Sequence, residues 1–110
     1  MIIIGHRGAK GLAPENTLAS LEKALSIGVA MIEIDVRVTA DNIAILHHDS
    51  FVKTNSKKLD IKTSSFLDIQ SVKPGILTLE ACLQFIDRRA DLIIELKPGI
   101  NVSPIVDCIK

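Results

Sequence analysis

The stretch Met31-Ile32-Glu33-Ile34-Asp35-Val36-Arg37-Val38 alternates apolar and charged side chains from Ile32 onward. A period of two is the strand repeat. It puts Ile32, Ile34, Val36 and Val38 on one face and Glu33, Asp35 and Arg37 on the other. An antiparallel strand with one solvated face would read the same way, so the segments on either side have to decide.

Upstream, Ile2 to Ile4 is a short β-branched run that ends at Gly5 and fits a buried strand. Gly5, Gly8 and Gly11 mark a loop. Asn16 is the expected cap of a helix reaching about Ile27, with Leu18, Leu21 and Leu25 on one face and Gly28 as its stop. Downstream, Asp41-Asn42 signals a turn, and Ile43 to Leu46 returns as a short strand leading into His47-His48-Asp49. Residues 50–75 read as a polar, irregular excursion, with a short helix near Ser64 to Ile69. Thr78 caps a helix carrying Leu79, Cys82, Leu83 and Ile86. Leu92 to Lys97 repeats the split pattern, with Ile93, Glu95 and Lys97 opposite Leu92, Ile94 and Leu96. Pro98-Gly99 breaks it, and Ser103-Pro104 is read as an N-cap and first helical residue before Ile105, Val106, Cys108 and Ile109. Strands alternating with helices predict an α/β fold with a parallel sheet. Strands charged towards their C-terminal ends suit a barrel whose apolar strand faces lie under helices.

Composition narrows the function classes. The 110 residues carry 13 Lys and Arg against 13 Asp and Glu, so the basic excess of a nucleic-acid binder is missing. An apolar fraction of 47% argues against disorder. Aromatics are 3%, with no Trp or Tyr, which disfavours base stacking and sugar platforms. Cys82 and Cys108 sit in apolar helical patterns and read as buried, reduced thiols. No run approaches the roughly 18 apolar residues of a membrane span. Three isoleucines are too few for a signal segment, so a cytoplasmic protein is expected.

Glu33 and Asp35, two apart on a strand, leave the same face, and paired acids repel unless a cation lies between them. A solvated strand face is the plain alternative, but βαβ order covers both faces. Oxygen donors favour Mg²⁺ or Ca²⁺ over zinc. Glu95 is a natural third ligand on the next parallel strand; a simple Glu95–Lys97 pair at the strand end is the alternative. His6 and His48 each follow an apolar strand, where barrel enzymes keep catalytic groups, and two histidines can serve as general base and general acid. His47, adjacent to His48, points the other way and reads as a bystander. Arg7, among loop amides, suits a phosphate. The glycine spacing by itself is not a dinucleotide fingerprint.

Taken in order, His6-Arg7-Gly8, Pro14-Glu15-Asn16-Thr17, Glu33-Ile34-Asp35, His48-Asp49, Thr78-Leu79-Glu80 and Glu95-Leu96-Lys97 resemble the glycerophosphodiester phosphodiesterase family across nearly the whole chain. The resemblance implies a TIM (β/α)₈ barrel with an insertion after the second strand, of which residues 50–75 would be a shortened form. Such a barrel takes ~250 residues. Residues 1–110 would then be an N-terminal portion of about three βα units, an incomplete barrel domain. The implied activity is divalent-cation-dependent hydrolysis of a glycerophosphodiester to glycerol 3-phosphate and an alcohol. Glu33, Asp35 and Glu95 would hold Ca²⁺ or Mg²⁺, His6 and His48 would be the acid/base pair, and Arg7 and Lys97 would contact the phosphate. Where the family often has an Arg-Thr pair and a glycine turn, this chain has Lys53-Thr54-Asn55-Ser56-Lys57. Three other readings remain. The chain could be a truncated, catalytically incompetent remnant, or a segment that completes its barrel by oligomerising or with a second chain. It could be a phospholipase-D-like lyase that releases a cyclic phosphate. A binuclear hydrolase using His6, His47 and His48 fits less well, because hard cations suit the acids and adjacent histidines diverge.

Overall fold

The computed structural model describes residues 4–6, 16–28, 30–87, 89–96 and 101–109. The elements follow in the order β1 (Ile4–His6), α1 (Leu18–Ser26), β2 (Met31–Val38), β3 (Ala44–Leu46), β4 (Phe51–Lys53), β5 (Lys58–Asp60), α2 (Phe66–Val72), β6 (Leu77–Thr78), α3 (Leu79–Ile86), β7 (Asp91–Leu96) and α4 (Ser103–Ile109). Ile2 and Ile3, the glycine loop with Gly8 and Gly11, Pro14-Glu15 and Pro98-Gly99 lie outside the described residues. No helix among those described is long and apolar enough to cross a membrane.

The sheet is built around β2. β7 runs parallel to it from Met31↔Asp91 to Val36↔Leu96. β1, also parallel, pairs with Met31 to Glu33, and β3 pairs antiparallel with Val36 to Val38. Since β7 occupies one edge of β2, β1 and β3 share the other edge end to end. β6 extends the sheet beyond β3.

Ile32, Ile34 and Val36 are fully buried against Leu21 and Ala24 of α1, Leu79, Cys82 and Ile86 of α3, and Ile105 of α4. Each buried aliphatic side chain of this size stabilises by roughly 1.5–3 kcal/mol. Cys82 lies in this core, and burial pushes its thiol up to about 12. Cys108 is a free thiol at the margin, only partly buried.

Residues 50–75 fold rather than wander. β4 and β5 form a hairpin, and Val52, Ile61, Ile69, Val72 and Ile76 close with Ile45 into a second apolar cluster. The expected short helix is α2, with Phe66, Ile69 and Val72 on the clustered face, while Val52 and Ile61 stand singly among Ser, Lys and Thr. The excursion is anchored at its root: Ala40 N–H donates to Ser64 O at 2.9 Å, and Asp41 Oδ1 accepts from Phe66 N–H at 3.0 Å. β3 therefore has both faces covered, Ala44 and Leu46 by the main core and Ile45 by the second cluster.

Two expected caps are displaced. Thr17, not Asn16, caps α1: its Oγ1 accepts from Ser20 N–H at 3.1 Å, while Asn16 adopts φ 54°. Leu18, expected on the buried face, is 46% exposed. In α4 Val106 N–H already reaches Val102 O, so Ser103 lies inside the first turn, and Asn101 Oδ1 accepts its N–H. Thr78 does cap α3, accepting from Ala81 N–H, and Gly28 follows α1 at φ 79°.

Ile34→Ala should cost about 2–5 kcal/mol in urea unfolding. Leu67→Ala, on a side chain 75% exposed, should change stability by about 0.5 kcal/mol or less. Similar losses for the two would contradict the assigned core.

Candidate metal centre

Burial of Ile32, Ile34 and Val36 under the helices commits Glu33 and Asp35 to the opposite face of β2. The β2–β7 register then sets Asp35 beside Glu95. The outcome is a cluster in which Glu33, Asp35 and Glu95 each offer a carboxylate oxygen, all within 4.8 Å of one another. Asp35 is fully buried, Glu33 half-buried and Glu95 exposed. Three carboxylates this close repel unless a cation sits among them. An all-oxygen donor set of this kind fits a hard divalent ion, Ca²⁺ or Mg²⁺.

Around the cluster the backbone is tightly held. β1 ends opposite Glu33, with His6 as its register partner. Asp35 O accepts from His47 N–H at 3.1 Å. Arg37, two residues beyond Asp35 on the same strand face, donates Nε–H and Nη2–H to His48 O at 3.1 and 2.8 Å. His48 Nδ1 faces Asp49 Oδ1 at 3.0 Å, a pairing that leaves Nε2 for other work. That bond holds the Asp49 carboxyl below its ordinary 3.8, with burial opposing.

His47 is engaged on both nitrogens. Lys73 Nζ lies 3.1 Å from Nδ1, and an ammonium only donates, so Nε2 carries the proton that goes to Phe51 O at 2.9 Å. Burial first, and then the Lys73 ammonium, holds this imidazole below its ordinary 6.5.

Of the residues marked in the sequence, Glu33, Asp35 and Glu95 come together. His48 stands at the end of β3 beside Asp49, and the His6 backbone aligns with Glu33. The His6 side chain, Arg7 and Lys97 lie outside the described residues. Two contributors went unassigned. Arg37 sits at the i+2 position after Asp35, a spacing that placed it on the acidic face without a role. Asn16 donates Nδ2–H to Asp35 Oδ2 at 3.2 Å and accepts Asp35 N–H on Oδ1 at 3.3 Å. The available signal was two cap-forming residues in a row, Asn16 and Thr17, of which only one can cap.

Parallel strands joined through helices, with a carboxylate cluster on the sheet face turned away from those helices, define an α/β protein with a candidate metal site. The glycerophosphoryl diester phosphodiesterase family model matches residues 6–107. YhdW of Bacillus subtilis, which carries the name of a glycerophosphodiester phosphodiesterase, is 37% identical over 109 residues, covering 88% of this chain and 45% of that protein. A phosphodiesterase of Oleispira antarctica, solved with the product sn-glycerol-3-phosphate, superposes with TM-score 0.87 at 29% identity over 99% of this chain and 51% of its own. The glycerophosphodiester phosphodiesterase of Thermotoga maritima gives 0.89 at 26% identity over 100% and 50%. The chain belongs to the glycerophosphoryl diester phosphodiesterase family, a family of phosphoric diester hydrolases. It spans about half the length of the relatives it matches.

The lowered His47 sets a pH dependence. The unfolded chain takes up this proton at a higher pH than the folded chain does. The contribution is therefore complete above 6.5 and is lost as pH falls through the lowered folded value. In chelator, the urea midpoint of the wild type should drop between about pH 8 and about pH 5.5. His47→Gln should flatten that decline, and an equally steep fall in the variant would refute the assignment.

Proposed function

We propose that this chain carries the cation-binding part of a glycerophosphodiester phosphodiesterase site, with β1, β2 and β7 as the first three strands of a (β/α)₈ barrel. The observation that carries the reading is the approach of Glu33, Asp35 and Glu95 within 4.8 Å on one face of adjacent parallel strands. These carboxylates would hold Ca²⁺ or Mg²⁺. When bound, the cation would neutralise charge on the phosphoryl oxygens of the substrate.

The substrate class is a glycerophosphodiester, and the products are glycerol 3-phosphate and an alcohol. The product bound to the Oleispira antarctica enzyme supports hydrolysis over release of a cyclic phosphate. His6 and His48 form the acid/base pair: one takes the proton of the substrate's glycerol hydroxyl as that oxygen attacks phosphorus. The other gives a proton to the departing alcohol oxygen. Water then opens the cyclic phosphate. The Asp49 contact supports His48 in this role, because it fixes the Nδ1 tautomer and leaves Nε2 for proton transfer. Arg7 and Lys97 would contact the phosphate.

A second reading is favoured by Ile93 and Leu96 of β7, which are 38% and 48% exposed. A strand with apolar side chains left open suits further strands beside it, from a second copy or a second chain that completes the barrel.

Turnover of glycerophosphocholine to glycerol 3-phosphate should vanish in chelator and return with Ca²⁺ or Mg²⁺. Glu33→Ala should abolish cation binding. His48→Ala should slow turnover by roughly 10²–10⁴-fold while leaving cation affinity in place. Activity surviving both substitutions would rule out the site. In sedimentation velocity the second reading expects dimers or larger species, with turnover per chain rising with concentration; an active monomer excludes it.

A further inference from the structure

We infer that Asn16 is a positioning residue for the metal centre, orienting the Asp35 carboxylate from a gap in the sheet edge; the inference rests on the metal reading proposed above. The gap follows from the register. On one edge of β2 the ladder with β1 stops at Glu33, and the ladder with β3 starts at Val36. Asp35 lies between. Its C=O is taken by His47 N–H from the β3 side, and its N–H points to the same edge, where among the described residues neither ladder includes Asp35. Asn16 Oδ1 takes that N–H at 3.3 Å.

The same amide reaches the side chain. Asn16 Nδ2–H donates to Asp35 Oδ2 at 3.2 Å. One planar group thus bonds both the backbone and the carboxylate of a single residue, which fixes the Asp35 side chain relative to its own strand. Asn16 is only 3% exposed, so neither bond is replaced by bulk water when it breaks. The job needs a donor and an acceptor on one rigid side chain. An ionised carboxylate has no donor, and an aliphatic chain has neither. Asn is also a residue type that tolerates the φ of 54° observed here. Thr17 does the capping of α1, so Asn16 is not required for the helix. Groups that hold a metal ligand in this way typically alter metal affinity by about 10–100-fold when removed.

The test is calorimetric titration of the full chain with Ca²⁺ or Mg²⁺ alone. Asn16→Gly removes the amide and keeps the backbone conformation accessible, since glycine adopts positive φ without strain. Its cation affinity should fall by about 10–100-fold, with the circular dichroism of the chelated protein unchanged. Ser65→Ala, which removes the exposed N-cap acceptor of α2, should lose thermal stability and keep wild-type affinity. Equal affinity in Asn16→Gly and wild type overturns the role of Asn16 alone. So does an equal loss in Ser65→Ala, or an Asn16→Gly chain that has lost its fold in chelator. A wild type that binds neither cation overturns the metal reading and this role together.

Discussion

The pairing of β2 with β7 is the contact on which the rest of the structure depends. Side chains alternate along both strands, so their parallel register decides which groups meet. Ile32 and Ile34 meet Leu92 and Ile94 under the helices, and Asp35 meets Glu95 on the other side. A slip of one residue would turn Glu95 into the core and Leu96 towards the acids. The apolar half of the pattern supplies the penalty against that slip. The hydrophobic core therefore does more than stabilise: it holds three mutually repelling carboxylates in place.

The second apolar cluster works one step further out. Ile45 is its contact with the sheet, and Val52, Ile61, Ile69, Val72 and Ile76 are its body. By covering the outer face of β3 it holds the strand that leads into His47, His48 and Asp49. Arg37 then clamps the His48 carbonyl from the acidic face of β2, and Lys73 and Phe51 O fix the His47 ring from the excursion. The acidic strand thus holds His48 and the folded excursion holds His47, its neighbour in the chain. Such grip suits a site whose groups must be held rigidly.

The alternating strands, the capped helix at Thr78 and the acidic faces of β2 and β7 were legible because each rests on a local rule, a period of two or a cap residue before an apolar run. In residues 50–75 only the short helix was, with Phe66, Ile69 and Val72 at helical spacing; the hairpin was not, since it contributes single aliphatic residues with no period of their own. Asn16 was misread for a related reason. Capping is a local rule, and it competed with a bond to Asp35, 19 residues away, that no local rule contains. The approach of Glu33, Asp35 and Glu95 stood between these cases. The faces were readable in each strand, but the distance came only from the register.

A carboxylate cluster on neighbouring strands has a structural consequence of its own. Its three carboxylates come from two strands that pair directly, with α3 packed on the apolar side of the same pair. The geometry of the cluster is therefore set by contacts within residues 31–96, and Asn16 adds one tie from the segment before α1. Groups that choose a substrate have no such requirement. They can reside on loops that vary freely, provided the strand ends beneath them are fixed. The Arg37 clamp lies at that boundary. Its two bonds to His48 O belong to the rigid sheet, while it also lines a cavity of about 430 Å³ with Thr39, Asn42, Asp60, Lys62 and Asn101. The clamp therefore joins the strand that carries the acids to a polar, loop-lined surface.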